Sequence, residues 1–167
     1  MKELKLSKKL EKALNEQITL ELQSAYIYNG MRLYFKSLGM PGATNWMTFQ
    51  TREEEHHAED FIDFILDMDG DVELGDLKKV TTKYDSILDV FEKGLAHEKE
   101  ISASILSILD LAIEEKNYAA ENFLRHYVDE QIEEEDHFRG YVDLVKMAGD
   151  NEAALFKVDS ILGKRDH

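Results

Sequence analysis

The chain reads Gln50-Thr-Arg-Glu-Glu-Glu-His-His-Ala-Glu-Asp-Phe61 about one third of the way along its 167 residues. Apolar residues in and around this stretch recur at helical spacing, which predicts an α-helix. Glu54 and His57 are three positions apart, so their side chains would lie one above the other on the same helix face. A carboxylate and an imidazole in that arrangement suit a divalent transition metal. An exposed Glu-rich helix produces the same motif by chance, and the rest of the chain decides between the two interpretations.

Helix-start and helix-stop signals on either side of this stretch predict four long helices and a short fifth one. Ser7 and Asn117 are predicted to cap the first and fourth helices, and Asp85 or Ser86 the third. The predicted bounds, caps included, are residues 7–37, 43–68, 85–115, 117–148 and 152–162. One proline and nine glycines are few enough helix breakers for helices of this length.

The segment 71–85, between the second and third helices, has no helical periodicity and is too long for a simple hairpin turn. A connection of that length can cross the bundle, so the flanking helices would run parallel. The predicted fold class is therefore all-α, a four-helix bundle with a long crossover between helices two and three and a short fifth C-terminal helix. Residues 1–167 contain no repeat or linker and are predicted to form a single domain.

The composition argues against several classes of protein. Lys plus Arg number 20 against 35 Asp plus Glu, and the net charge of −15 would repel nucleic acid and attract cations. The absence of cysteine excludes disulfides, thiolate zinc sites and iron–sulfur clusters. No apolar stretch approaches membrane-spanning length, and the charged N-terminal segment lacks the apolar core of a signal peptide. A cytoplasmic protein with no nucleic-acid or membrane partner is expected.

The core-facing stripe of each long helix is apolar toward its ends and polar at its centre. The polar central residues are, in chain order, Gln17, Glu21, Ser24, Gln50, Glu54, His57, Glu98, Gln131 and Glu134. A buried, unpaired carboxylate is costly or takes up a proton. The stripes contain no Lys or Arg that could neutralise the four glutamates in this list. A cation from outside the chain is the natural counter-charge.

The ligand types indicate which cation this would be. A site rich in oxygen ligands, with a single imidazole, suits iron or manganese better than zinc or copper. Several carboxylates that can bridge favour two metal ions over one. The alternative is a bundle in which the helix register is displaced by one position, so that the Glu residues lie on the flanks of the helices and bind nothing.

Four segments resemble those of the non-haem bacterial ferritins in amino-acid sequence, in their order along the chain and in their spacing. They are Leu14-Asn-Glu-Gln-Ile-Thr-Leu-Glu-Leu-Gln-Ser-Ala25, Arg52-Glu-Glu-Glu-His-His57, Ala96-His-Glu-Lys-Glu100 and Tyr127-Val-Asp-Glu-Gln-Ile-Glu-Glu-Glu135. The resemblance covers essentially the whole chain and implies a ferritin-like di-iron domain.

This resemblance implies a ligand set for two irons. In such ferritins the residues that match Glu21, Glu54 and His57 hold one iron. Those that match Glu54, Glu98 and, more weakly, Gln131 hold the second, with Glu54 as the bridge.

The resemblance also implies roles outside this pair. Tyr28 matches a tyrosine beside the centre that supplies a hydrogen bond or an electron. A nearby third iron site would be formed by Glu53, Glu130, Glu133 and Glu134.

Two departures separate the chain from the bacterioferritins. Those proteins carry a second E-x-x-H on the fourth helix, where this chain has Gln131-x-x-Glu134. Glu134-x-x-His137 exists one turn further on, but Phe138 continues the stripe there and His137 is predicted to be flanking and exposed. Bacterioferritins also bind haem through a methionine directly after the glutamate of the motif, and Glu55 at that position predicts that no haem is bound.

The leading hypothesis is an iron-storage ferroxidase. It would oxidise Fe(II) with O₂ or H₂O₂ at the di-iron centre and deposit ferric mineral, and the resemblance implies that a hollow cage of about 24 subunits with closed symmetry encloses this mineral. One alternative is a di-iron protein that consumes peroxide or O₂ without bulk storage. The other is an acidic helical interaction module that binds no metal.

Overall fold

The computed structural model describes residues 4–167, so the first three residues of the charged N-terminal segment lie outside the described part. Five helices form, and no strand occurs between residues 4 and 167. They are α1 (Lys8–Ser37), α2 (Pro41–Asp67), α3 (Ile87–Glu114), α4 (Tyr118–Ala148) and α5 (Glu152–Leu162). The predicted all-α fold is confirmed. None of the helices in this described range is long and apolar enough to cross a membrane.

Most of the helix ends lie where the capping signals predict them. The side chains of Ser7, Ser86 and Asn117 each accept a hydrogen bond from a backbone N–H in the first turn of the helix that follows. The predicted start of α2 at Ala43 is wrong, because the helix begins two residues earlier at Pro41. Proline suits the first turn of a helix, since its missing N–H would have had no partner there.

The start of α2 is capped by a side chain from α5. Met40, at the N-cap position, makes no side-chain cap hydrogen bond. Instead Asp159 accepts hydrogen bonds from the backbone N–H of Gly42 at 3.1 Å and of Ala43 at 2.8 Å. A Cβ on Gly42 would overlap the backbone carbonyl of Asp159, so glycine allows this close approach. The contact fixes α5 against the N-terminal end of α2.

Asp159→Ala is expected to loosen α5. The change leaves two backbone donors of α2 without their acceptor and removes a negative charge from a helix N-terminus, at a cost of about 1 kcal/mol. Hydrogen exchange should accelerate at Gly42, Ala43 and residues 152–162. Asp150→Ala, which removes an exposed carboxylate just before α5, is the matched control. Equal exchange in both variants would contradict the capping role.

The segment after α2 runs along α1 as the predicted crossover. Three α1 side chains at four-residue intervals hold it: Asn15, Thr19 and Gln23. They accept hydrogen bonds, at 2.6, 3.2 and 2.7 Å in that order, from the backbone N–H groups of Glu73, Gly75 and Lys78. The connection therefore follows α1 from its beginning toward its end. Since α2 returns antiparallel along α1, α3 begins at the end where α2 began and runs parallel to it.

Two apolar clusters fill the interior on either side of a polar layer. One contains Leu14, Phe61 and Ile105, and the other contains Phe35 and Phe91. Along α1 the first cluster ends at Ile18 and the second begins at Tyr28. Most of the buried polar residues lie between the two clusters, at the middle of all four long helices, whereas Asn15 lies outside this layer and contacts the crossover.

The periodicity of the third helix predicts a core-facing stripe through Leu88, Phe91 and Leu95, and this stripe needs a correction near its start. Leu88 and Leu95 are only half-buried, whereas Val90 and Gly94 are buried. The reason is the ring of Phe138 on α4, which occupies the space where a Cβ of residue 94 would lie. A glycine at this point lets the two helices pack around an aromatic ring, so the core-facing line of α3 passes through residue 94.

Candidate metal centre

The polar layer gathers the predicted ligands of all four long helices. They are all buried, with exposed fractions of 1% for Glu21, 1% for Glu54, 6% for His57, 1% for Glu98, 5% for Gln131 and 2% for Glu134. No Lys or Arg is buried in the part of the chain that the structure describes. Four carboxylates therefore share the interior with one imidazole, and His57 is the only residue of this layer that can carry a positive charge.

Glu21, Glu54 and His57 form the first group of potential ligands. One ligand atom from each lies within 4.8 Å of the others. His57 Nδ1 is 3.2 Å from Glu54 Oε2 and 3.8 Å from Glu21 Oε2. Glu21 Oε1 accepts a hydrogen bond from Gln17 at 2.9 Å, but Glu21 Oε2 has no hydrogen-bond partner. It is the only such buried side-chain atom within residues 4–167, and a cation bound by this group would complete its coordination.

Glu54, Glu98 and Glu134 form a second group with the same spacing. Glu54 belongs to both groups, which is the arrangement that a bridging carboxylate requires. Gln131 lies beside this group and donates through Nε2 to Glu98 Oε2 at 3.1 Å. A half-turn of the Gln131 amide would be needed for its oxygen to face an ion. The structure thus places Glu134 as well as Gln131 beside Glu98.

Tyr28 contacts the second group directly. Its side chain is fully buried, and its hydroxyl donates a hydrogen bond to Glu98 Oε1. Burial, followed by the negative charge of Glu98, raises the pKa of Tyr28 well above its ordinary value. The phenol therefore keeps its proton and acts as a donor that orients Glu98.

The shared interior alters the pKa values of these groups. Burial, followed by the charge of Glu98, raises the pKa of Glu54 and of Glu134 well above the ordinary value. Burial raises the pKa of Glu98 to about 7. Burial lowers the pKa of His57, but its contacts with Glu21 and Glu54 outweigh burial and raise that pKa to about 12. For Glu21, burial raises the pKa, but interactions with the nearby side chains of His57 and Glu54 leave it below the ordinary value.

These shifts predict that the chelator-treated protein loses stability as the pH rises. Glu98 titrates near 4.5 when unfolded and about 7 when folded, so the folded state holds an extra proton between those values. His57 titrates near 6.5 when unfolded and about 12 when folded, and its contribution is lost as the pH rises through that window. The urea midpoint should therefore be lower at about pH 8 than at about pH 6.

Glu98→Gln provides the control for this pH dependence. The variant keeps the shape of the side chain but removes one titrating group, so its midpoint should fall less between the same two pH values. Urea unfolding of both proteins after chelation measures the difference. A wild-type midpoint that rises with pH over this interval would contradict the predicted proton balance.

The four carboxylates predicted to form a third site are only partly brought together. Glu53 and Glu134 form a group with His57, within 4.8 Å. Glu130 Oε2 is 4.0 Å from His57 Nε2, and Glu133 is exposed. Neither joins a group of three ligands in the described part of the chain.

An open cavity of about 870 Å³ adjoins the group formed by Glu53, His57 and Glu134, which we call the outer group. Glu53, His57 and Glu133 line it together with His137, which is exposed as predicted. His57 thus belongs both to the buried centre and to the cavity wall, and the centre reaches the surface of the chain on this side.

Two residues at the centre were not predicted to have a role there. Gln50 donates through Nε2 to Glu54 Oε1 at 3.1 Å and to Glu134 Oε2 at 2.8 Å. Its place in the polar stripe of the second helix was the available signal. Arg165 contacts Gln50 and Glu53 from beyond the end of α5, where the sequence pattern gives no signal.

The sequence and the fold both match ferritins. The family profile for the ferritin-like domain matches residues 11–148. A bacterial non-heme ferritin of Bacteroides fragilis (strain 638R) is 39% identical over 160 residues, which is 96% of this chain and 99% of the relative. One from Campylobacter jejuni is 37% identical over 157 residues, 94% of each chain. A solved open pore ferritin from Archaeoglobus fulgidus superimposes with a TM-score of 0.95 at 37% identity, over 96% of this chain and 99% of that one.

Proposed function

This chain belongs to the ferritin family, and from that premise we propose that it is an iron-storage ferroxidase. It binds two Fe(II) ions in the polar layer of its bundle, oxidises them with O₂ or H₂O₂, and passes the ferric product to a mineral store. Residues 1–167 act as one di-iron domain, and the cytoplasm is the location predicted from the sequence.

The observation that carries this proposal is that the buried Oε2 atom of Glu21 has no hydrogen-bond partner. It faces His57 Nδ1 across 3.8 Å, in a layer where carboxylates outnumber positive groups. In an interaction module without metal this atom would stay an unsatisfied buried acceptor, which lowers the stability of the fold. Two divalent ions, one in each group and bridged by Glu54, would supply the charge that the layer lacks.

The protonation states of the ligands account for the binding step. A metal ligand must be deprotonated, so iron binding releases the His57 proton and competes with the protonation that raised pKa values favour at Glu54, Glu98 and Glu134. The carboxylates then balance the charge of the ions. Tyr28 keeps its proton and holds Glu98 in place.

The oxidation step balances in electrons and protons. Each Fe(II) gives up one electron, and O₂ takes two electrons and two protons to become H₂O₂. When H₂O₂ is the oxidant, it takes the same numbers and becomes two water molecules. The charge of the pair rises by two units, which strengthens its attraction to the ionised carboxylates.

Storage requires that the product leaves the centre. Gln131 is a weak, neutral ligand at best, and Glu53, Glu133 and His57 provide polar groups between the centre and the adjoining cavity. We propose that the ferric product moves out along these groups into a hollow assembly of about 24 chains with closed symmetry.

A Glu21→Ala, His57→Ala double variant tests the proposal. It removes two of the three ligands in the first group, so anaerobic Fe(II) titration should show the loss of at least one tightly bound ion per chain, and rapid oxidation should stop. Glu16→Ala, His56→Ala is the matched control, because both of its residues are exposed on the same helices. Unchanged binding and oxidation in the first variant would overturn the ferroxidase proposal.

A further inference from the structure

The segment after α5 places a guanidinium on a carboxylate of the outer group. Arg165 Nη2 forms an ion pair with Glu53 Oε2. Arg165 Nη1 donates to Gln50 Oε1 at 2.8 Å and lies 3.4 Å from the backbone oxygen of Trp46. The Arg165 side chain is 13% exposed and the Glu53 side chain 33%, so the guanidinium is largely shielded from solvent and the carboxylate is partly open to it.

Several further contacts hold Arg165 in this position. Its guanidinium lies 4.6 Å from the ring centroid of Trp46, in a cation–π contact. Its backbone oxygen accepts a hydrogen bond from Asn45 at 2.9 Å, and its Nε donates to the backbone oxygen of His167 at 2.8 Å. Surface ion pairs are weak because both side chains must be ordered to form them. Here the side chain is already held by the ring and by the backbone contacts.

Arg165 is connected to the buried centre through Gln50. The Gln50 oxygen accepts from Arg165, which leaves the Gln50 nitrogen to donate to Glu54 and Glu134. An amide has one accepting end and one donating end, so the guanidinium determines which end faces the carboxylates. The contact thus reaches Glu54, the carboxylate shared by the first and second ligand groups, which we call the inner groups.

A guanidinium on Glu53 weakens the binding of a metal ion to the same carboxylate, because the two cations repel each other. Its ligand atom lies within 4.8 Å of those of His57 and Glu134, so these three residues form a possible outer site. We propose that Arg165 is a tethered counter-charge that closes this outer site, and that a third divalent ion binds only when it displaces the guanidinium from Glu53. This rests on the proposed function, in which iron leaves the inner pair toward the adjoining cavity.

The displacement has a consequence for iron movement. The inner pair fills first, because the cation of the chain beside its carboxylates, His57, can release its proton and become a ligand, whereas a guanidinium cannot. The outer site binds more weakly, since its apparent affinity is reduced by the fraction of molecules in which Arg165 still occupies Glu53. Arg165 therefore sets how readily an ion passes from the buried centre to the cavity.

Titration with Zn(II), which is redox-inactive, tests this in the chelator-treated protein. Arg165→Ala should tighten the binding of the third zinc ion by about tenfold or more, the scale of one charge-assisted hydrogen bond. Lys164→Ala is the matched control, because it removes one positive charge from the same cavity without touching Glu53. Equal tightening in both variants would overturn the proposal, since it would reflect net charge alone. Adding Glu53→Ala to Arg165→Ala should abolish the gain.

The fluorescence of Trp46 gives a second readout in the wild-type protein. It is the only tryptophan of the chain, and it lies under the guanidinium. Its emission should change with the third zinc ion and not with the inner ions, and this change should be absent in Arg165→Ala. A wild-type signal that stays constant while the third ion binds would overturn the proposal, whether or not the variant folds.

The outcomes also separate this inference from the proposed function. Inner zinc sites that survive in Glu21→Ala, His57→Ala would contradict the ferroxidase centre. If the inner sites behave as expected but the affinity for the third zinc ion is the same with and without Arg165, only the role of Arg165 is contradicted.

Discussion

Replacing Glu54 with glutamine is expected to slow Fe(II) oxidation by about 100-fold or more. Changes to the outer-shell partners of metal ligands already cost about 10- to 100-fold, and Glu54 is the residue that both inner ligand groups share. A neutral amide cannot bridge two cations as a carboxylate does, so the two irons would no longer be held as a pair. Stopped-flow absorbance after mixing Fe(II)-loaded protein with O₂ measures the rate.

Glu55→Gln is the matched control for this change. Glu55 is the next residue on the same helix and is exposed, so the same substitution there should leave the oxidation rate unchanged. The folded state of Glu54→Gln should be intact, because burial already favours the uncharged form of this side chain. A Glu54→Gln protein that oxidises iron at the wild-type rate would contradict the bridging role.

Aerobic addition of Fe(II) is expected to leave far more iron in solution than the inner pair can hold. In a ferroxidase that forms a hollow assembly, the ferric product leaves the centre for the mineral store after each reaction. The iron retained per chain should therefore exceed the two ions of the centre many times over. The protein should elute as a particle of about 24 chains of 19.3 kDa. Iron analysis of the eluted peak checks both expectations at once.

This measurement also separates storage from the scavenging alternative. A di-iron protein that only consumes O₂ or peroxide would keep two irons per chain, and the excess would precipitate. Glu54→Gln, treated in the same way, should retain little iron although it assembles normally. A monomer or dimer that holds only the inner pair would contradict storage and favour the scavenger.

The helices and the polar layer could be predicted because both depend on local sequence. Caps such as Ser7 and Ser86 act on the helix that follows them directly. The buried positions of Glu21 and Glu98 follow from the 3.6-residue period of apolar residues on their own helices. Each of these features can be obtained from one helix at a time.

Contacts between distant segments were less accessible from sequence. Asp159 caps a helix that begins more than a hundred residues earlier, and Arg165 reaches Glu53 from beyond α5. Val158 and Leu162 on the apolar face of α5 are buried against the chain itself, whereas Phe156 is exposed. The reason in each case is tertiary docking of α5, for which helical periodicity carries no signal.

The most direct test of the central claim is anomalous scattering at the iron edge from crystals soaked with Fe(II) without oxygen. Two strong peaks should appear in the polar layer, about 3.5–4 Å apart, one beside Glu21 and His57 and the other beside Glu98. Glu54 should contact both. Iron found only on the outer surface of the chain, or a single ion in the layer at full loading, would contradict the di-iron centre.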